Sequence, residues 1–567
     1  MHGTKRGIVR VVNQNKTICR FKISSASIQR LLLAGLVALV LSGIAATGAS
    51  AQASNIYITQ DGAGNGVCSS NVHNPAWFNN SANWGTGASQ IGPGTIVHLC
   101  GTITTSLAAQ GDGASGRPWT LLFEPGAKIS HAFCGDDGGM GCLNISNHGF
   151  FVIDGGTTCG WINGAAVPCN GIIEATANGT QLANQSSLGN GQGVAVNISN
   201  SHDLEFKNIT IQNIYVRVPN SGDHNGALSE GFWGHVPLTN IHIHHVILHD
   251  LHWGIATTAD YYPINNLEYD HFYSYNLDHG VGIGMAGAHS NGFLIHDFHI
   301  GSSQVWDLAT TDNHHDGIHF YGGADGITTG VNTGIQIYNG LFDGDWGYSN
   351  TANIFLEDGQ NATIFNNLFF ASSGSYPLNN GVINNGNGPS TNRSVKMYNN
   401  TVIWNTPNPG SYIAVLYGSV DWRNNVIVDA STTGSASLTA WGGTRSGTWD
   451  YNVYAAVNPS TGLFGQTSSC CTWTYTQWKA NTGADAHSPA IGTGTMSVAS
   501  TGIPNAGSPV IGAATNLSSL GIAALNMDRN GNPRPSSGSW DAGAYNSGIT
   551  VTNTKVSPPT GLTVVVQ

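Results

Sequence analysis

The sequence predicts an all-β protein, a single-stranded right-handed parallel β-helix of about 10 or more coils with a cap at each end. Three observations carry this. Short alternating strands recur along the chain at near-regular intervals. Each holds a polar residue at the same place between two apolar stretches. Glycine reaches 76 residues while charged residues make up 9% of the chain, and the periodicity assigns that composition to turn-rich β structure rather than to disorder. The 567 residues exceed one ordinary globular core but suit an elongated repeat domain.

Residues 1–51 read as a secretory signal peptide. Lys5, Arg6, Arg10, Lys16, Arg20, Lys22 and Arg30 precede the apolar run LLLAGLVALVLSGIAATG, and Ala49-Ser50-Ala51 supplies small residues for cleavage after Ala51. An uncleaved membrane anchor is the other reading of this segment. No later apolar run is long enough to span a bilayer, so the mature chain is expected to be secreted, in the periplasm or outside the cell or on its surface, and monomeric. Residues 1–51 hold 7 of the 19 Lys/Arg and none of the 31 Asp/Glu, which leaves 12 basic against 31 acidic residues, a net charge of about −19. No Lys or Arg occurs between Arg217 and Arg393. Nucleic acid and anionic membranes, which need basic patches, are therefore excluded as partners. Eight cysteines remain after Cys19 leaves, and proximity favours Cys134–Cys142, Cys159–Cys169 and Cys68–Cys100. The state of the adjacent Cys470 and Cys471 stays open, and the absence of a CxxC pair argues against a zinc ribbon.

Residues 52–130 are expected to form the N-terminal cap and first coil, from IYITQDGAGNGVCSSN to WTLLFEPGAKIS. Coils follow over 131–457. Aligned, IHIHHVILHD (241–250), LEYDHFYSYN (267–276), FLIHDFHIGS (293–302), IQIYNGLFDG (335–344), ATIFNNLFFA (362–371), VKMYNNTVIW (395–404) and VDWRNNVIVD (420–429) start 26, 26, 42, 27, 33 and 25 residues apart. LEFKNITIQN (204–213) is an earlier member, and GFFVIDGG (149–156) another. Each unit is a short strand, a polar corner, a second strand and a loop, and a repeat of roughly 20–29 residues built from short strands is a stacked solenoid. Regular Leu spacing is absent, so leucine-rich repeats do not fit. Residues 458–546 read as a C-terminal coil and cap region, and 547–567 as a Pro/Thr/Val tail or linker whose end, VSPPTGLTVVVQ, resembles the first strand of a fibronectin-type module.

These coils resemble those of the pectate-lyase-like superfamily of secreted β-helix proteins. SPVIGAA (508–514) and DRNGNPRPSSGSWDAGAY (528–545) resemble the C-terminal cap of its bacterial members, and the likeness spans roughly residues 54–546. The resemblance implies a fold more than an activity, because the superfamily holds lyases, hydrolases, epimerases and non-enzymatic adhesins.

Stacking puts equivalent positions about 4.8 Å apart. The fifth column of the alignment reads Asn208, His245, His271, Asp297, Asn339, Asn366, Asn399 and Asn424. It is expected to be an internal corner where stacked side chains satisfy buried backbone groups, which makes His245, His271 and Asp297 structural. Fifteen of the 22 histidines lie between His224 and His319, so enrichment alone locates no site. His242 and His244 alternate with Ile241 and Ile243 and point outward. The next coils offer Glu268, Asp270, Leu294 and His296 there, an irregular set that reads as a solvated polar strand rather than a metal site.

The second strand of each coil is more informative. HWGIATT (252–258), DHGVGIG (278–284), HDGIHFY (315–321) and TANIFLE (351–357) align on Ile255, Val281, Ile318 and Ile354. One column then holds His252, Asp278, His315 and Thr351, and its neighbour Trp253, His279, Asp316 and Ala352. Outward positions beyond the apolar residue read Ala256, Gly282, His319, Phe355 and then Thr258, Gly284, Tyr321, Glu357. Acid and imidazole thus alternate on successive rungs beside a shelf of Ala, Gly and Thr, which leaves room for a glycan. A hydrogen-bonded Asp/His ladder that only satisfies the corner is the competing structural reading.

Glycoside hydrolysis needs two carboxyls, about 5–5.5 Å apart for retention and 6.5–9.5 Å for inversion. Asp316 is expected as one, with Asp278 or Glu357 as the other, and His279, His315 and His319 orienting them or binding sugar hydroxyls. Tyr321, Phe355, Trp253, His252, Asp312 and Trp346 are the candidate substrate contacts. Hydrolysis ranks ahead of β-elimination, which needs a base and something cationic to neutralise the uronate. The resemblance implies that a lyase would use Ca²⁺ with Arg or Lys, or a His/Tyr pair. The central coils lack Lys and Arg, while His319 with Tyr321 would serve the second design and DGDWG (343–347) would hold Ca²⁺. The stretch TTDNHHDGIHFYG (310–322) is loosely similar to the site of β-helix mannuronan epimerases but lacks their Asp-Pro-His-Asp order. Asp316-Gly317 is similar to part of a polygalacturonase motif, with no Arg-x-Lys after it. The expected function is a polysaccharide-degrading hydrolase requiring no cofactor, with a lyase or epimerase as one alternative and a non-catalytic glycan-binding surface protein or adhesin as the other. No dinucleotide, GxSxG or HExxH motif is present.

Overall fold

A computed structural model describes residues 52, 54–134, 141–176, 193–214, 229–235, 237–260, 264–286, 291–303, 314–322, 333–347, 350–357, 361–371, 378, 381–386, 394–404, 412–429, 439–456, 464–466, 472–489, 492–493 and 501–547. The expected signal peptide, Asp312, Cys470, Cys471 and the tail from 548 lie outside these residues.

The described strands stack in parallel ladders, which form three faces of a parallel β-helix. On the first face Leu204, Ile241, Leu267, Phe293, Ile335, Ala362, Val395 and Val420 are register partners from coil to coil. Phe151 joins them at the N-terminal end. The sequence alignment of the coils is therefore the register of the sheet, because a slip by one residue would turn every buried side chain outward. The second face is a 13-stranded ladder that includes Ile247–Leu251, Tyr273–Tyr275 and His299–Ile300. Like side chains stack inside it: Phe272 lies on Phe298 at 5.1 Å between ring centroids, and Phe342 on Phe369 at 4.9 Å. The third face carries the candidate site.

The corner between the first two faces differs in detail from the expectation. Asn208, His245, His271, Asp297, Asn339, Asn366, Asn399 and Asn424 all adopt positive φ, between 48° and 64°, the left-handed conformation that Asn, Asp and His tolerate best among side-chain-bearing residues. This column turns the chain. The internal amide ladder lies one residue further on, at Asn367, Asn400, Asn425 and Asn452, all at most 1% exposed. Each of these amides donates to a backbone carbonyl, from Ile337, Ile364, Met397 and Trp422 respectively. Asn367 also donates to Asn400, and Asn400 to Asn425, both at 3.0 Å.

The segment expected as a C-terminal cap runs instead along that corner. Asn366, Asn399 and Asn424 donate to the carbonyls of Met527, Asp541 and Thr515, so three successive coils are strapped by one segment. The last coil is met by the helix Tyr475–Thr482, whose buried Trp478 stacks on Phe464 at 4.8 Å. Thr474 and Gln477 close its N-terminus as a capping box. The three disulfides anticipated from spacing, Cys68–Cys100, Cys134–Cys142 and Cys159–Cys169, are all formed. No described helix is long and apolar enough to cross a membrane.

Candidate active site

The strands expected to be the second of each coil are its third, because Ile247–Leu251 and its partners already fill the second face. Five third-face strands build the site: Ser229–His235, Trp253–Asp260, His279–Ala286, His315–Gly322 and Asn350–Leu356. Phe232, Ile255, Val281, Ile318 and Ile354 stack in register and face the core. A glycine precedes four of them. A Cβ at Gly231, Gly254, Gly280 or Gly317 would sit 2.4–2.7 Å from the carbonyl oxygen of the next rung, so only glycine lets the backbones stack here. The glycine and the apolar residue after it both turn inward, which sends the residue before the glycine outward. That outward column is Glu230, Trp253, His279 and Asp316.

The expected columns hold with one shift. Trp253, His279, Asp316 and Ala352 are partners, as are Ala256, Gly282, His319 and Phe355. A bulge between His315 and Asp316 pairs His315 with Asn350 rather than Thr351.

Carboxylate and imidazole alternate along this face. Asp278 Oδ2 accepts from His279 Nδ1 at 2.7 Å and from the Trp253 indole at 3.2 Å, and lies 3.4 Å from His252 Nε2. His279 Nε2 is 3.4 Å from Asp316 Oδ2 and 3.1 Å from His319 Nδ1. Asp316 Oδ2 also meets His314 Nδ1 at 2.6 Å, and its Oδ1 accepts the Ala352 amide at 3.0 Å. His319 Nδ1 lies 3.7 Å from Asp316 Oδ2, and its Nε2 lies 3.7 Å from Glu357 Oε2.

Burial sets the electrostatics. It opposes ionisation of Asp278, but the imidazoles of His279, His252 and His315 outweigh it and hold that carboxyl well below the usual range. Burial likewise opposes ionisation of Asp316, and hydrogen bonds from His279 and His314 win. Burial alone decides Glu230, pushing its carboxyl up to about 8.

The two carboxylates expected to flank a scissile bond therefore flank an imidazole: His279 stands between Asp278 and Asp316, and His319 between Asp316 and Glu357. The anticipated shelf is also filled. A Cβ at Gly282 would lie 2.6 Å from the Trp253 ring, and one at Gly284 would lie 2.6 Å from the Tyr321 ring. The small residues make room for two aromatic rings, 5.8 Å apart and edge to face, both half-buried.

Among the other candidates, His315 is fully buried and hydrogen-bonds the Trp346 carbonyl at 3.0 Å, so it lies behind the groove rather than in it. Trp346 is 1% exposed in the core and presents no ring to a ligand. Phe355 and His252 are each 4% exposed, and Phe355 stacks on His319 at 4.7 Å as a wall. Asp343 bonds His299 on the preceding coil and Asp345 accepts the Gly347 amide within its own turn, so both DGDWG carboxylates already have partners. Two residues were not anticipated. Glu230 would have emerged had SEGFWGH (229–235) been aligned on Phe232. His314, not among the candidate site residues, joins the cluster.

On the first face, His242 and His244 point outward as expected and belong to a paired network. His242 meets Asp270 at 2.6 Å, His244 meets Glu205 at 3.1 Å, and His296 meets both Glu268 and Asp297.

No known family profile matches this sequence, and no curated protein matches it. Among solved structures the chain is similar to the GH136 lacto-N-biosidase from Eubacterium ramulus, at 10% identity and a TM-score of 0.35, over 69% of this chain and 64% of that one. The chain thus spans less than two thirds of that enzyme's length. It is also similar to the polygalacturonase from Erwinia carotovora ssp. carotovora, at 11% identity and a TM-score of 0.25, over 74% of this chain and 96% of that one. Likeness at this level says nothing about chemistry, which has to be read from the site itself.

Proposed function

We propose that this chain is a secreted polysaccharide-cleaving enzyme, a glycoside hydrolase working along the third face. The observation that carries this reading is the line Asp278–His279–Asp316–His319–Glu357 lying beside the half-buried rings of Trp253 and Tyr321. Buried acid–imidazole pairs fix protonation states, and aromatic rings beside them suit the apolar faces of sugars. Glu357, with 19% of its side chain exposed, is the carboxylate of the line that reaches solvent and acts as the acid/base group. Asp316, across His319 from Glu357, supplies the second carboxyl that hydrolysis needs, and Asp278 orients His279. Three disulfides suit an oxidising compartment.

One observation favours a second reading. His319 and Tyr321 lie on the same face with ring centroids 5.2 Å apart, an arrangement usable as a base pair in β-elimination. A panel of neutral and acidic polysaccharides distinguishes the two, with Glu357→Gln and Asp316→Asn as controls. New reducing ends without absorbance from unsaturated uronates support hydrolysis, and that absorbance supports elimination. If neither product forms while glycan still binds, the catalytic reading fails in favour of a glycan-binding surface protein.

A further inference from the structure

The geometry points to a divalent transition-metal site formed by His279 Nε2, His314 Nδ1, Asp316 Oδ2 and His319 Nδ1. These four atoms lie within 4.8 Å of one another. Four of their separations are 2.6 Å for His314–Asp316, 3.1 Å for His279–His319, 3.4 Å for His279–Asp316 and 3.7 Å for His319–Asp316. A tetrahedral ion with bonds near 2.0–2.1 Å holds its donors about 3.3 Å apart, in the middle of that range.

Ring orientation adds a second observation. Asp278 accepts a hydrogen bond from His279 Nδ1 at 2.7 Å, which fixes that ring with Nε2 aimed at His319 and Asp316. Glu357 lies 3.7 Å from Nε2 of His319, whose Nδ1 faces the same point. Two ring nitrogens and a carboxylate oxygen converge in a site where Asp316, His279 and His319 are only 0%, 4% and 7% exposed at the side chain. The Asp278 carboxylate on the far nitrogen of His279 is also the outer-shell pattern that fixes a metal-binding imidazole.

The rings are held in place besides. Trp253, His279, His319 and Phe355 form a continuous stack along the helix axis, with centroids 4.5, 5.2 and 4.7 Å apart. His314, 37% exposed, is the ligand at the mouth. Three imidazoles and one carboxylate select Zn²⁺-like ions over Ca²⁺ or Mg²⁺, which prefer all-oxygen sites. The first-face histidines offer no equal case, because among the described residues each of their clusters gathers only three candidate ligands, whereas the third-face cluster gathers four.

Metal binding stands on this geometry alone, whereas a Lewis-acid role for the ion at a sugar rests on the glycan-cleaving reading. The test uses the full chain, stripped with chelator and titrated with Zn²⁺ by calorimetry and with Co²⁺ by visible absorption. One ion per chain is expected, with the intense Co²⁺ bands of a tetrahedral site. His279→Gln and His319→Gln should abolish binding, and Asp278→Asn, a positioning change, should weaken it about 10–100-fold. His242→Gln on the first face should leave the stoichiometry unchanged. Absence of any bound ion in the folded wild-type chain overturns the inference, as does one ion retained in the double His279→Gln/His319→Gln variant. Zinc binding without glycan cleavage supports the site and sinks the hydrolase reading. Glycan cleavage by a chain that binds no ion does the reverse.

Discussion

Replacing Glu230 by Gln should change how stability depends on pH. Glu230 is 1% exposed, neither of its carboxyl oxygens has a hydrogen-bond partner, and burial pushes its pKa up to about 8 from an ordinary 4.5. Below pH 4.5 the group is protonated in both folded and unfolded chains. Between 4.5 and 8 the unfolded chain releases the proton while the folded chain keeps it, so stability falls as pH rises through that window. At about 1.36 kcal/mol per unit, the loss between pH 5 and pH 8 comes to about 3–4 kcal/mol. Glu230→Gln keeps the shape and removes the titration. Guanidinium unfolding of both chains at pH 5 and pH 8 is the assay, and the variant should gain on wild type by that amount between the two. An equal shift at both pH values would refute the reasoning and make Glu230 a charged partner of His252.

Asn400→Ala should destabilise the chain by about 2–6 kcal/mol in the same assay, because it strips the Asn367 amide and the Ile364 carbonyl of a buried partner each. Gly282→Ala places a Cβ against the Trp253 ring. It should weaken glycan binding about 2–13-fold in calorimetry, the loss of one aromatic contact, with a stability loss in urea of about 1–3 kcal/mol as the ring is displaced. Gly280→Ala puts its Cβ 2.7 Å from the Gly317 carbonyl oxygen. It should cost about 1–3 kcal/mol by overpacking, read as a lowered melting temperature.

The fold was legible because a stacked coil repeats its own constraint. Each of the aligned residues from Leu204 to Val420 had to face the core on every turn, so their alignment gave the register directly. The site columns followed from the same rule. What failed was whatever register does not determine. The bulge at His315 moved one partner. The rings of Trp253 and Tyr321 fold back over Gly282 and Gly284, a side-chain choice that a column of small residues cannot announce. The fifth-column histidines were read correctly as structural, yet their role is backbone conformation, with the amide ladder at the next residue. The segment 508–545 was recognisable by its composition, but nothing in it said that it would bind three corners along the side.

The glycine column has a consequence for how such a chain can change. The glycines let neighbouring turns close to the spacing that strand hydrogen bonding sets, and the groups of the site come from neighbouring turns whose loops differ widely in length. The 42-residue step from 293 to 335 brings in as many rungs as a 26-residue one. Whole turns could therefore be added or removed between 361 and 429 in steps of about 4.8 Å, provided the segment that straps Asn366, Asn399 and Asn424 is lengthened or cut to match, lengthening or shortening the third face without touching the residues of the site. Length and chemistry are separate variables in this molecule, and inserting one duplicated coil there would measure the first while holding the second constant.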